Sequence, residues 1–295
     1  MASPRGLSLI SVPYHLGAPA VGMGRGPTAL LERHGFAGAL GDDVEVAVVD
    51  APDASRPEIA RIFELARALS GLVRGARADG RLPLVLAGNC NSCLGTVAGL
   101  ESDRLGVVWF DAHADFDTPE DNESGFLDVM ALSTLTGACW RALRSSIPGF
   151  REVAEAHVIL VGARDLEPYQ RARLEASRVR VVRSGLLEPA LDELRERTRD
   201  VYLHVDLDVL DPSEGRANEY AAPGGLSVAE LEAALRLIGA RFDVAAAAIT
   251  AYDPACDPDG AIANAAVTVG RAIRRATRDG TRKSAADRRS RRTSP

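Results

Sequence analysis

The chain has 295 residues, 46% of them hydrophobic and 26% charged, with a formal net charge of −6 and a pI near 5.5. That balance belongs to a globular chain with a substantial core and argues against bulk nucleic-acid binding. The N-terminal MASPRGLSLISV carries no long apolar stretch or cleavage pattern, no run approaches a membrane span, and four cysteines are too few for a disulfide framework, so the expected compartment is the cytoplasm.

In chain order, short β-branched or apolar runs predict strands at 7–12, 44–49, 83–87, 105–110, 158–161, 179–182, 201–205 and 244–249. Helix-like segments fall between them, among them 57–78, 186–197 and 227–238, the last opening on the capping-box pattern Ser227-Val228-Ala229-Glu230. Strands alternating with helices predict an α/β fold: three αβα layers around a central, mostly parallel sheet of about eight strands. One domain is expected over residues 1–275. The basic segment 276–295, RDGTRKSAADRRSRRTSP at its core, reads as a disordered, solvated tail rather than a site for an anionic partner.

Three of the predicted strands end in polar chemistry, and ligands of open parallel sheets bind beyond such ends. The first ends in Trp109-Phe110-Asp111-Ala112-His113-Ala114-Asp115-Phe116-Asp117. If the strand continues, Asp111, His113 and Asp115 share a face, because residues two apart point the same way. Buried carboxylates that close repel one another, and a multivalent cation removes the penalty. The second is Val205-Asp206-Leu207-Asp208-Val209-Leu210-Asp211-Pro212, with Asp206 and Asp208 on one side. The third is the turn Ala87-Gly88-Asn89-Cys90-Asn91-Ser92-Cys93. Four carboxylates and one imidazole suit a hard or borderline divalent ion such as Mn²⁺, or a pair of ions, better than a closed zinc site. Strand-end caps would account for either motif alone, but less well for both. Cys90 and Cys93 form a CxxC, yet no second pair completes a zinc knuckle; Cys93 reads as a buried, inert thiol and Cys90 as the candidate for a sixth ligand.

These motifs resemble the arginase, agmatinase and formiminoglutamase family of ureohydrolases, from Gly22-Met23-Gly24-Arg25-Gly26-Pro27 through DAHAD and DxDxxDP to Tyr252-Asp253-Pro254. The resemblance implies two Mn²⁺ ions and hydrolysis of a guanidino or amidino carbon by a metal-bridging hydroxide. It implies that Asp111 and Asp206 bridge the ions, that Asp115 completes one and hydrogen-bonds the hydroxide, and that His113 and Asp208 hold the other. The partner implied is a small guanidino substrate, with no nucleic acid or membrane and with a homo-oligomer open.

The departures from the family pattern are specific. Its GGDH turn reads Ala87-Gly88-Asn89-Cys90, so a cysteine stands where the histidine ligand would be. The Ser-Gly-Asn-Leu-His-Gly loop of arginases reads Ser124-Gly125-Phe126-Leu127-Asp128-Val129, putting Asp128 in the place of the proton-shuttling histidine; an exposed aspartate is a poor acid at neutral pH unless burial raises its pKa. Ala251 replaces the glutamate that pairs with the guanidinium. For an amino-acid head group the resemblance points to Ser124, to Asp117 where an asparagine would stand, and to Glu167 in Arg164-Asp165-Leu166-Glu167-Pro168; a bare helix-start carboxylate is the alternative for Glu167. His204 could replace the shuttle, or lie deeper and support a ligand carboxylate. One branch of the family shares the cysteine and lacks the histidine, and hydrolyses Nω-hydroxy-arginine to hydroxyurea and ornithine during D-cycloserine biosynthesis. The expectation is a hydrolase of that kind; the alternatives are an inactive binding or regulatory protein of the same fold, or an agmatinase- or formiminoglutamase-type hydrolase.

Overall fold

The computed structural model describes residues 4, 6–182 and 186–292, those from 278 onward by backbone path alone. Its centre is an eight-stranded sheet built from β1 (Leu7–Val12), β4 (Val44–Val48), β5 (Leu82–Ala87), β6 (Leu105–Phe110), β7 (Val158–Val161), β8 (Arg180–Val182), β9 (Asp200–Asp206) and β10 (Asp243–Thr250). β2 (Tyr14–His15) and β3 (Ala18–Pro19) form a small separate hairpin. Every pairing in the large sheet is parallel, in the order β4-β1-β5-β10-β9-β6-β7-β8. All eight predicted runs are strands of it.

Alternate residues of the inner strands enter two separate cores, as a sheet covered on both faces requires. Leu84, Val108 and Leu203 pack with Leu30 of α1 (Gly26–Glu32), Phe36 of α2 (Phe36–Leu40), Leu191 of α8 (Leu187–Arg195), Leu235 of α9 (Val228–Gly239) and Ile273 of α10 (Ala261–Arg292). Val85, Val107 and Tyr202 pack on the other face with Phe63 of α3 (Glu58–Ala78), Leu94 of α4 (Ser92–Ala98) and Leu132 of α5 (Ala131–Leu135). Two short helices, α6 (Arg141–Arg144) and α7 (Pro168–Ala176), lie between β6 and β8 in sequence. The capping box at Ser227 forms: the amide of Glu230 donates to Ser227 Oγ at 3.2 Å and the Ser227 amide to Glu230 Oε2 at 2.8 Å.

The backbone of α10 runs as helix to Arg292, into the segment that composition marks as a tail. Low apolar content speaks against packing, whereas Ala, Arg and Lys are good helix formers. Among the described residues no helix is long and apolar enough to cross a membrane.

The chain leaves β5, skips two strand positions to form β6, β7 and β8, then returns to insert β9 and β10 between β5 and β6. The four central strands therefore end side by side in a crevice, where ligand sites of such sheets form.

Candidate metal centre

Cys90 sits in the turn between β5 and α4. At Gly88 any Cβ would come within 2.3 Å of the Tyr14 carbonyl, so only glycine lets this turn pass beneath the N-terminal segment. Asp111, His113 and Asp115 follow β6, but not as a continued strand: β6 ends at Phe110. The His113 amide donates to Asp111 Oδ1 at 2.7 Å, and Asp115 takes a left-handed backbone with φ of 48°. The expected alternation is thus replaced by a tight turn that serves the same end. Asp206 closes β9, and Asp208 lies in the short 3₁₀ turn Leu207–Val209, its amide donating to Asp206 Oδ1 at 2.9 Å.

These residues meet. One donor atom each from Cys90, Asp111 and Asp115 lies within 4.8 Å of the others, and the same is true of Asp111, His113 and Asp208. Asp111 belongs to both groups. The Cys90 thiol donates to Asp206 Oδ2 at 3.0 Å, so the sixth residue adjoins the first group. His113 Nδ1 is 3.3 Å from Asp111 and 3.4 Å from Asp208. All six line one cavity of about 370 Å³, together with Met23, Ser124, Phe126, Asp128, Val129, Asn218, Tyr220 and Ala251.

Electrostatics make the cluster costly without a cation. Burial, reinforced by neighbouring aspartates, raises the carboxyls of Asp111, Asp115 and Asp206 and pushes the Cys90 thiol well above its usual range. Burial opposes charge on Asp208 as well, but hydrogen bonds from His113 and Asn218 hold it below the ordinary carboxylate value. His113 shows the counterpart: burial disfavours its charge, yet Asp111 and Asp208 outweigh this and push it up to about 12. Asp115 Oδ2 is buried with no hydrogen-bond partner. An orphaned carboxylate oxygen amid raised acids and a thiol is the donor set that divalent cations would satisfy, so these residues fit a metal centre.

The supporting groups were not singled out from sequence, apart from His204. Trp109 Nε1 donates to Asp111 Oδ2 at 2.9 Å, and Asn218 Nδ2 to Asp208 Oδ2 at 3.2 Å and to the Ala251 carbonyl at 2.9 Å. The Arg164 guanidinium donates to six main-chain carbonyls, those of Gly162, Asp208, Val209, Leu210, Ala222 and Pro223. His204 is fully buried, and burial lowers it to about 3, which keeps it neutral and unsuited to shuttling protons. Its Nε2 meets Thr250 Oγ1 at 3.3 Å, and Thr250 in turn donates to Asp206 Oδ2 at 3.3 Å, so its support of the carboxylate is indirect. Cys93 is buried in α4 beside the Ala131 carbonyl and takes no part in either donor group.

Asp128 is buried rather than exposed, and burial pushes its carboxyl up to about 7 against the pull of donors from Asn89 and Asn91. Asn89 Nδ2 donates to its Oδ2 at 2.6 Å, and the Asn91 amide to its Oδ1 at 3.1 Å. Of the expected head-group residues, only Ser124 lines the cavity. Asp117 lies outside the cavity lining: its carboxylate is taken up by Tyr169 Oη at 2.8 Å, Gln170 Nε2 at 3.0 Å and Asn122 Nδ2 at 2.9 Å, so it fastens a loop to α7. Glu167 also stands apart from the cavity, exposed at the N-cap of α7, where its amide donates to Gln170 Oε1 at 2.9 Å. That is the helix-start alternative. Its neighbour Asp165 comes nearer, 3.8 Å from His113 Nε2 at the rim.

The arginase family model matches residues 5–274, nearly the whole sheet-and-helix body just described. The chain belongs to the arginase family. It is 30% identical over 287 residues to the arginase of Bacillus caldovelox, covering 89% of this chain and 96% of that one. The solved structure of the Bacillus caldovelox arginase superposes with a TM-score of 0.81 at 28% identity, over 91% of this chain and 98% of that one. The Bacillus subtilis arginase structure gives 0.80 at 26% identity over the same shares. Members of the arginase family are hydrolases of C–N bonds in linear amidines and hold binuclear metal centres, typically of manganese.

Proposed function

We propose that this arginase-family hydrolase acts on Nω-hydroxy-L-arginine or a related modified arginine, releasing hydroxyurea (or urea) and ornithine. Two Mn²⁺ ions would be held by Cys90, Asp111, His113, Asp115, Asp206 and Asp208, and would supply a hydroxide nucleophile at neutral pH.

The observation that carries the substrate choice is Ala251, buried in the cavity wall at the end of β10. Among the lining residues no carboxylate stands apart from the ligand set and Asp128. Arginine's guanidinium stays protonated at any accessible pH, and an unpaired cation in a desolvated pocket costs several kcal/mol. A hydroxyl on the terminal nitrogen lowers the basicity, so a neutral form is available without a carboxylate. The walls formed by Met23, Phe126, Val129 and Tyr220 suit such a neutral, planar group. The roles we assign at the reacting centre go to two aspartates: Asp115, whose free Oδ2 can orient the attacking water, and Asp128, which can exchange a proton with the departing amine. An amino-acid head group would meet Ser124 in the cavity wall and Asp165 beside His113, with Glu167 a further carboxylate on the same segment.

The test is kcat/KM for arginine, agmatine and Nω-hydroxy-L-arginine with the manganese-loaded protein. The hydroxylated substrate should lead by at least tenfold, equivalent to about 1.4 kcal/mol in the transition state. Equal turnover of arginine removes the argument from Ala251. Full metal loading with no turnover of any guanidine would favour a binding protein instead.

A further inference from the structure

We infer that a buried hydrogen-bond chain from Tyr202 through His204 to Thr250 positions the Cys90 sulfur and Asp206 for a cation, with Thr250 as the positioning residue; the inference rests on the reading of Cys90 and Asp206 as ligands. Thr250 carries the one hydroxyl of β10, whose other residues are Asp243, Val244, four alanines and Ile249. Its register sets it beside Asp206 of β9 on one side and Ala87 of β5 on the other, between the two strands that deliver Asp206 and Cys90. Thr250 Oγ1 is 3.4 Å from Cys90 Sγ and 3.3 Å from Asp206 Oδ2. On its third side lies His204 Nε2 at 3.3 Å, while His204 Nδ1 is 2.8 Å from Tyr202 Oη. All of these groups are almost completely shielded from solvent. Trp109 stacks on the His204 ring with centroids 3.6 Å apart and planes 11° from parallel, which fixes the ring's rotation.

A hydroxyl has a single hydrogen, so the direction of the chain decides what the ligands meet. If Tyr202 donates to Nδ1, the ring hydrogen of neutral His204 resides on Nε2 and points at Thr250 Oγ1. Thr250 is then an acceptor towards His204, and its single hydrogen goes to one acceptor on the other side, with Asp206 Oδ2 and the Cys90 sulfur nearer than the Val205 carbonyl at 3.5 Å. In the reverse direction Thr250 would donate to the ring and offer only lone pairs to two anions. The first arrangement gives each member of this chain a partner and points a donor at the ligands, and hydrogen bonds from outside the ligand set are what orient ligands and set their donor strength.

Cobalt titrated into the metal-free full chain tests this, using Co²⁺ alone and reading the sulfur-to-cobalt charge-transfer absorption. The wild type should show the band and Cys90→Ser should lose it. Thr250→Val keeps the side-chain shape but not the hydroxyl; it should move the band to longer wavelength and weaken Co²⁺ binding roughly 10- to 100-fold. Tyr202→Phe should shift the band the same way by a smaller amount, and Thr250→Ser should stay near wild type. An unshifted band with unchanged affinity in Thr250→Val overturns the inference while leaving Cys90 a ligand. Cobalt uptake by the wild type without a band dependent on Cys90 removes the ligand reading, and the inference with it.

Discussion

Cys90 and Cys93 are separated by about one helical turn's worth of chain and are both buried, yet only Cys90 belongs to a donor group with the carboxylates. Cys90→Ser should therefore lose one ion per chain or most of its affinity, and Cys93→Ser should not, as metal analysis of the purified proteins would show. Serine is nearly isosteric, but its hydroxyl does not ionise at accessible pH, so the loss reports the thiolate rather than packing. Asp128 poses a different question, because its carboxylate both lines the cavity and fastens the two asparagines that flank Cys90. With its carboxyl at about 7, an acid role predicts a kcat that declines as the pH rises through that region, and Asp128→Asn should abolish the decline. A purely anchoring role predicts reduced metal content with an unaltered pH profile. Measuring kcat against pH and metal content on the same preparations separates the two.

At the scale of elements, the site depends on loops held from outside it. Arg164 follows β7 and gathers carbonyls from the Asp208 turn and from the segment at 222–223, tying both to the end of β7. Lysine keeps the charge but lacks the planar fork that reaches several carbonyls at once. Arg164→Lys should weaken metal binding by roughly tenfold while the far-ultraviolet circular dichroism stays that of the wild type; unchanged affinity would mean the turn holds itself. The strands were legible in sequence because those of a parallel sheet, buried on both faces, read as unbroken apolar runs. The donor-rich strand ends were legible because four carboxylates beside apolar runs are hard to explain otherwise. For Asp117 and Glu167, matching a position to a family pattern identifies a residue without its partners. The partners came from α7, whose Tyr169 and Gln170 carry no periodic or spacing signal. Thr250, Asn218 and Arg164 were invisible for the same reason: each is ordinary in sequence, and its role exists only once distant strands stand side by side.

The molecule as a whole inherits the strain of its acidic crevice. Asp128 binds its proton more tightly in the fold than its ordinary value of 3.8 implies, so its contribution to stability is complete below that value and is lost as the pH rises towards about 7. The raised carboxyls of Asp111, Asp115 and Asp206 act in the same direction. His113, raised from 6.5 to about 12, also contributes fully below 6.5 and loses that contribution above it. Asp208, which is lowered, contributes in full above its ordinary value of 3.8 and loses that contribution only as the pH falls below it. The metal-free protein should thus have a Tm that falls between about pH 5 and about pH 8, whereas with saturating Mn²⁺ the trend should reverse, because protons compete with the ion for the same atoms. Thermal scans across that range, with and without chelator, give both slopes. The separation of 116 residues between Cys90 and Asp206 has a temporal consequence as well. Their donor atoms meet only where β9 and β10 stand between β5 and β6, an arrangement that joins strands distant in sequence. A cation seated there finds its full donor set only in the finished structure. It should leave the folding rate nearly untouched and slow unfolding, so that it lengthens the lifetime of the native protein without hastening its arrival.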